Sequence, residues 1–296
     1  MTLYAAGLAF AGMAAVGYTL ASFFLKASML RGASSGQVNL TANIALGLVA
    51  QPLWLFASAE VANPPLWLPA ITCCTFFLGQ VFTFAALSSG DVSVATPVLG
   101  TKVILVTFFN AILFATPVSA RWWVASFAAS IAVATIAIGT PHGERGAALR
   151  TGALALVSAG CFSFTDVLVQ RWAGSYDPMF FLPAMFGGVS LISTLWCAVL
   201  DRSAFRAPFR ARVSLGVGAV LLGIQCALMF LSLAWTRDAT AANVVYSLRS
   251  LLSVILAGSM GAAFGLRESA LPLPILVLRG VGASLLFGAI ALILWK

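Results

Sequence analysis

Apolar runs of roughly 20 residues, the length a helix needs to cross the hydrocarbon layer of a bilayer, recur ten times along this sequence. They are centred near Ala14, Leu46, Phe77, Val103, Ser130, Gly160, Leu191, Leu222, Leu251 and Ala283. A soluble globule does not accommodate such a pattern. With 61% hydrophobic and 8% charged residues among 296, the chain has too few polar side chains to coat one. The expected fold is therefore an all-α polytopic membrane protein of ten transmembrane helices.

Tryptophan agrees with these boundaries, because an indole favours the interface, where its ring stays apolar and its N–H stays wet. Trp54, Trp67, Trp122, Trp123, Trp172, Trp196, Trp235 and Trp295 all fall near expected helix ends. Only three connections are sizeable: Glu60 to Pro65, Pro141 to Arg150 and Asp201 to Arg212. The first helix lacks the flanks of a secretory signal and is expected to be retained. Cys73, Cys74, Cys161, Cys197 and Cys226 lie inside spans, where a thiol packs as a small apolar group; neither disulfide nor metal is expected. The formal charge of +8 is scattered over short connections with no basic arm, which excludes nucleic acid as a partner and leaves the surplus to set orientation. Counting bases on alternate sides puts both termini outside.

Two cations break the apolar pattern. Lys102 and Arg249 each fall about ten residues from the ends of their expected spans, where a base costs roughly 2.5–3.5 kcal/mol on insertion scales. Asp91 and Asp238 open helices and read as N-caps. Asp166, in CFSFTDVLVQRW, is the acid well inside a span, and one acid cannot neutralise two bases. Either Asp166 pairs with one base while the other reaches backbone carbonyls, or the two cations face a midplane cavity that receives an anionic group. Asp166 is expected to serve as charge partner or as a coupling group that takes up a proton.

A shift of 147 residues lays LSSGDVSVATPVLGTKV over AWTRDATAANVVYSLRS and pairs Lys102 with Arg249. The chain then divides into a first five-helix repeat at 1–140, a polar connection at 141–150 and a second five-helix repeat at 151–296, inverted because five is odd. This arrangement, with AALSSGDVSVATPVL around helices three and four and the glycine-plus-glutamate turn at Gly265 and Glu268, resembles the drug/metabolite transporter superfamily, in particular its EamA-like members. The resemblance implies a multi-pass transporter of the bacterial inner (plasma) membrane working by alternating access, as monomer or homodimer. It also implies cytoplasmic termini, against the charge count, and cations on helices four and nine that hold phosphate in related translocators.

Further polar groups inside spans, Tyr246, Asn243, Tyr18, Gln80 and Gln225, are candidates for substrate binding or for interhelical hydrogen bonds. Pro97, Pro52 and Pro183 are expected to kink helices four, two and seven and to serve gating or packing. Gly280, Ser284 and Gly288 read as a close-packing stripe. No Walker-type phosphate loop is present, so transport would run on a gradient or by exchange, without a cofactor. The leading expectation is a secondary active transporter for a small organic anion bearing a carboxylate or phosphate. An alternative is an exporter of amino acids or amphipathic metabolites or drugs, with Asp166 holding the amine. A remote one is a membrane-embedded lipid-modifying enzyme, disfavoured because the single histidine, His142, lies in a connection and no acid pair occurs.

Overall fold

A computed structural model of the chain describes residues 2–58, 65–89, 98–113, 119–137, 145–173, 175–260 and 273–295. These residues form eleven α-helices and three short 3-10 segments, and no strand. The helices are α1 (Leu3–Leu30), α2 (Ser35–Ala50), α3 (Trp67–Ser89), α4 (Lys102–Leu113), α5 (Ala120–Ala137), α6 (Arg145–Trp172), α7 (Pro178–Leu200), α8 (Arg212–Thr236), α9 (Ala239–Tyr246), α10 (Leu248–Met260) and α11 (Leu273–Leu294). The centre of every apolar run lies in one of them. The ninth run is divided between α9 and α10, which meet at Ser247. Among the described residues, five stretches are long and apolar enough to cross a membrane: Leu3–Leu30, Ser35–Phe56, Leu149–Trp172, Pro178–Leu200 and Phe209–Thr236. Their length and composition fit a membrane-embedded protein.

Local signals explain several helix ends. Ser34 and Gln37 make a reciprocal capping box at the start of α2, and Asp177 caps α7 through the Met179 amide, with Pro178 in the first turn. Asp238 caps α9 by accepting from the Ala241 amide at 3.0 Å, as its position suggested. Gln37 also ties the connection after α7 to α2, donating to the carbonyls of Ser203 (3.1 Å) and Arg206 (3.0 Å).

Three expectations need correction. Pro52 does not sit inside a continuous α-helix: α2 stops at Ala50, and Pro52 stands in the first turn of a 3-10 segment, Gln51–Phe56, that follows without a gap, so the carbonyl one turn back loses its helical donor there. The connection 141–150 is partly helical, since α6 already begins at Arg145. The stripe Gly280, Ser284, Gly288 is exposed along α11, and a methyl group added at either glycine would meet no atom of the described residues. Pro183 does lie inside α7, buried, where it deprives a preceding carbonyl of its helical donor; its own carbonyl accepts from Gln51 Nε2 at 3.3 Å. Pro97, Asp91, His142, Gly265 and Glu268 lie outside the described residues. All five cysteines are free thiols.

The helices pack in a definite partner pattern. The closest pairs are α1 with α8, α3 with α6, and α5 with α11; α2 lies against both α7 and α8, and α4 against α5 and α6. Gly17 permits the approach of α1 to α8, since a Cβ there would stand 2.9 Å from Gln225 Cβ. Phe76, Phe162, Phe186 and Phe230, from α3, α6, α7 and α8, meet edge to face at the centre of the core, with centroid separations from 5.1 to 6.0 Å.

Candidate functional site

Lys102 follows a one-residue turn at Thr101 that separates it from a short helical stretch at 98–100, and Arg249 is the second residue after the turn at Ser247. The cations therefore do not sit midway along unbroken helices, as their sequence positions suggested. Both turns are held by hydroxyls that bond back to the preceding turn: Thr101 Oγ1 donates to the Val98 carbonyl at 2.6 Å and Ser247 Oγ to the Asn243 carbonyl at 2.9 Å.

The ammonium of Lys102 lies 2.7 Å from Asp166 Oδ2, and the same oxygen accepts from Asn243 Nδ2 at 2.7 Å. Asn243 also donates to the Ala239 carbonyl, one turn back on α9. The carboxylate is only 1% exposed and the lysine side chain 15%, so the acid is enclosed while its cation keeps an open face. The Phe162 ring supports the ammonium from α6, 5.8 Å from centroid to Nζ.

Arg249 is held differently. Its guanidinium lies in the corner formed by the rings of Tyr18 and Tyr246, its carbon 4.6 Å from each centroid, and the two rings meet edge to face at 6.1 Å. Such contacts favour a planar cation. Arg249 donates to the Tyr246 oxygen at 3.4 Å; Tyr246 in turn donates to Gln225 Oε1 at 3.0 Å. Asn243, which bonds to Asp166, and Tyr246, which bonds to Arg249, stand about one turn apart on α9, and Gln225 on α8, which accepts from Tyr246, donates in turn to Cys226 Sγ at 2.9 Å. The three charged groups thus form one cluster built on α4, α6 and α10, with α1, α8 and α9 supplying its walls.

Of the residues singled out in the sequence, Lys102, Asp166, Arg249, Tyr246, Asn243, Tyr18 and Gln225 come together in this cluster. Gln80 bonds into a different group: its Oε1 accepts from Asn43 Nδ2 at 2.7 Å, and that amide also reaches Asn39 and Ser193, so this set ties α2, α3 and α7. Sequence reasoning missed Thr19, Phe162, Ser163 and Cys226. The signal for the first three is a recurrence, Tyr18-Thr19 and Phe162-Ser163, an aromatic followed by a hydroxyl 144 residues apart.

The chain is similar to a solved structure described as "Crystal structure of protein", with a TM-score of 0.76 and 16% sequence identity, over 97% of this chain and 96% of that one. The two share a fold. No protein-family model matches the sequence, and no curated protein matches it.

Proposed function

We propose that this chain is a secondary active transporter, driven by a gradient or by exchange, that moves a small organic anion bearing a carboxylate or phosphate through a cavity lined by Lys102, Arg249 and their partners. The observation that carries this reading is the Arg249 guanidinium lying against two tyrosine rings, in a cluster that also holds the enclosed ion pair of Lys102 with Asp166. Guanidinium presents a planar fork to a carboxylate or phosphate, and restricting the side chain in advance by ring contacts lowers the entropic cost of binding.

The reading includes the architecture of ten transmembrane helices in two inverted five-helix repeats, and an EamA-like membership of the drug/metabolite transporter superfamily. Helix packing supports it: exchanging the two halves turns the pair α1 with α8 into α6 with α3, and returns α5 with α11 to itself. Paired helix interruptions beside membrane-depth charges are what transporter binding sites of this design use. The cations obey the same exchange, Lys102 with Arg249, and each follows closely on a turn, at Thr101 and at Ser247.

The amino-acid exporter reading requires Asp166 to receive a substrate amine. Asp166 already accepts from Lys102 and Asn243, which favours the anion reading over it. The test is uptake by purified protein in liposomes, with radiolabelled anions and cations presented to the same vesicles. Saturable anion uptake without cation uptake is expected; the converse overturns the proposal.

A further inference from the structure

We infer that the amide cluster where α2, α3 and α7 meet binds a sodium ion, and that the sodium gradient drives the transport proposed above. The site stands on its own geometry, and only the coupling rests on the anion reading. The Asn43 amide nitrogen lies within hydrogen-bond distance of three side-chain oxygens: Gln80 Oε1 at 2.7 Å, Asn39 Oδ1 at 3.1 Å and Ser193 Oγ at 3.1 Å. An amide nitrogen has two hydrogens to give, so the point of convergence is richer in lone pairs than in hydrogens. At the other end of the same side chain, Asn43 Oδ1 is buried and has no hydrogen-bond partner among the described residues. Asn43 is 1% exposed and Ser193 0%, so bulk water reaches neither.

Turning the Asn43 amide over exchanges its nitrogen and oxygen without changing its shape. Oδ1 then joins the other three oxygens, and the convergence becomes four neutral oxygen ligands on three helices. Such a set suits a small, hard, singly charged cation, whereas magnesium and calcium sites draw on carboxylates. The ion engages the lone pairs for which hydrogens are short and ends the unpaired burial of Oδ1. Position supports the coupling role. Asn43, Gln80 and Ser193 stand well inside Ser35–Phe56, Trp67–Ser89 and Pro178–Leu200. The 147-residue shift that lays Lys102 on Arg249 also lays Asn43 on Ser190, and Ser190 Oγ donates to the Asn43 carbonyl. Equivalent residues of two repeats touch only near the axis that relates them, and coupling-ion sites of repeat-built transporters lie at that interface. An ion there ties α2 and α3 of the first half to α7 of the second, so its arrival and departure bear on how the halves meet.

Purified protein in detergent, with no anion substrate added, should melt about 2–4 °C higher in saturating sodium chloride than in potassium chloride or N-methylglucamine chloride of equal ionic strength. Ser193→Ala removes one ligand and no carbon; it should lose most of that increment while melting like the parent in potassium chloride. Should Ser193→Ala fold poorly, Gln80→Leu replaces it with the same expectation. In liposomes, an imposed sodium gradient should concentrate a labelled anion that the parent carries, an equal potassium gradient should not, and the variant should respond to neither. Equal melting of the parent in the three salts, or a full sodium increment in the variants, overturns the site. A sodium increment beside anion uptake indifferent to sodium overturns the coupling. A sodium increment with no anion carried at all leaves the site standing and removes the anion reading instead.

Discussion

Tyr18 and Phe162 stand in matching relations to the two cations of the cluster. Tyr18 faces Arg249 and Phe162 faces Lys102, and each ring is followed by a hydroxyl that bonds to the main-chain carbonyl of the very cation the ring supports. Thr19 donates to the Arg249 carbonyl at 3.4 Å and Ser163 to the Lys102 carbonyl at 3.0 Å, and each shares its proton with a carbonyl one turn back on its own helix. The chain thus holds each cation from the ring side and the backbone side at once.

The ring contacts differ in strength, and this gives an ordered expectation. Tyr18→Leu should weaken anion binding by roughly threefold to tenfold, because it removes one of the two ring contacts to the guanidinium, whereas Tyr18→Phe keeps the ring and most of the affinity. Phe162→Leu should cost less, since Lys102 lies further from its ring. Titration of anion uptake in liposomes made from each variant checks the order.

The recurrence behind this arrangement explains what can and cannot be read from the sequence. A single shift of 147 residues brings Lys102 onto Arg249, but the ring-and-hydroxyl pairs coincide only at 144, because the second half has three more residues between hydroxyl and cation. One rigid shift therefore reveals the cations and hides their supports. The apolar runs are legible because bilayer-length hydrophobicity needs no tertiary information. Pro52 misleads for the opposite reason: a proline near a helix end and a proline inside a helix look alike until the helix end is known. Residue type alone places Gln80 in the cluster, and only packing against Asn43 assigns it elsewhere.

The α2–α7 contact has no room for a side chain at Gly47. A Cβ there would clash with Ser190 Oγ and stand 2.9 Å from Ser190 Cβ. Gly47→Ala should therefore destabilise the protein by about 1–3 kcal/mol, the usual cost of overpacking. Adding Ser190→Gly should recover most of the loss, since it removes both clashing atoms. Thermal unfolding of the purified single and double variants in detergent measures this, and a single variant as stable as the parent would contradict the tight α2–α7 packing.

Asp238, in the connection between α8 and α9, gives the expected pH dependence. Burial pushes its carboxyl up to about 6, against an ordinary 3.8, while hydrogen bonds from Ala241, Tyr4 and Thr240 pull the other way. The folded state therefore holds this proton more tightly than the unfolded chain does. Its contribution to stability falls as pH rises from about 4 to about 6 and is constant above that window. Asp238→Asn retains a competent N-cap and removes the ionisation. The variant should lack this part of the pH slope and melt higher than the parent at neutral pH. Melting curves on both sides of the window test the sign.

The central claim is that an anion binds at Arg249, and the most direct measurement is counterflow of a labelled anion by purified Arg249→Gln and Arg249→Lys in liposomes, beside the unaltered protein. Losing the charge-assisted contact should weaken binding by about tenfold to a hundredfold in Arg249→Gln. Arg249→Lys should recover only part, because an ammonium keeps the charge but not the planar fork that Tyr18 and Tyr246 hold. Both variants must remain monodisperse in detergent for the comparison. If Arg249→Gln keeps the parent's affinity for every anion that the parent carries, the guanidinium is structural and anion binding at Arg249 is contradicted.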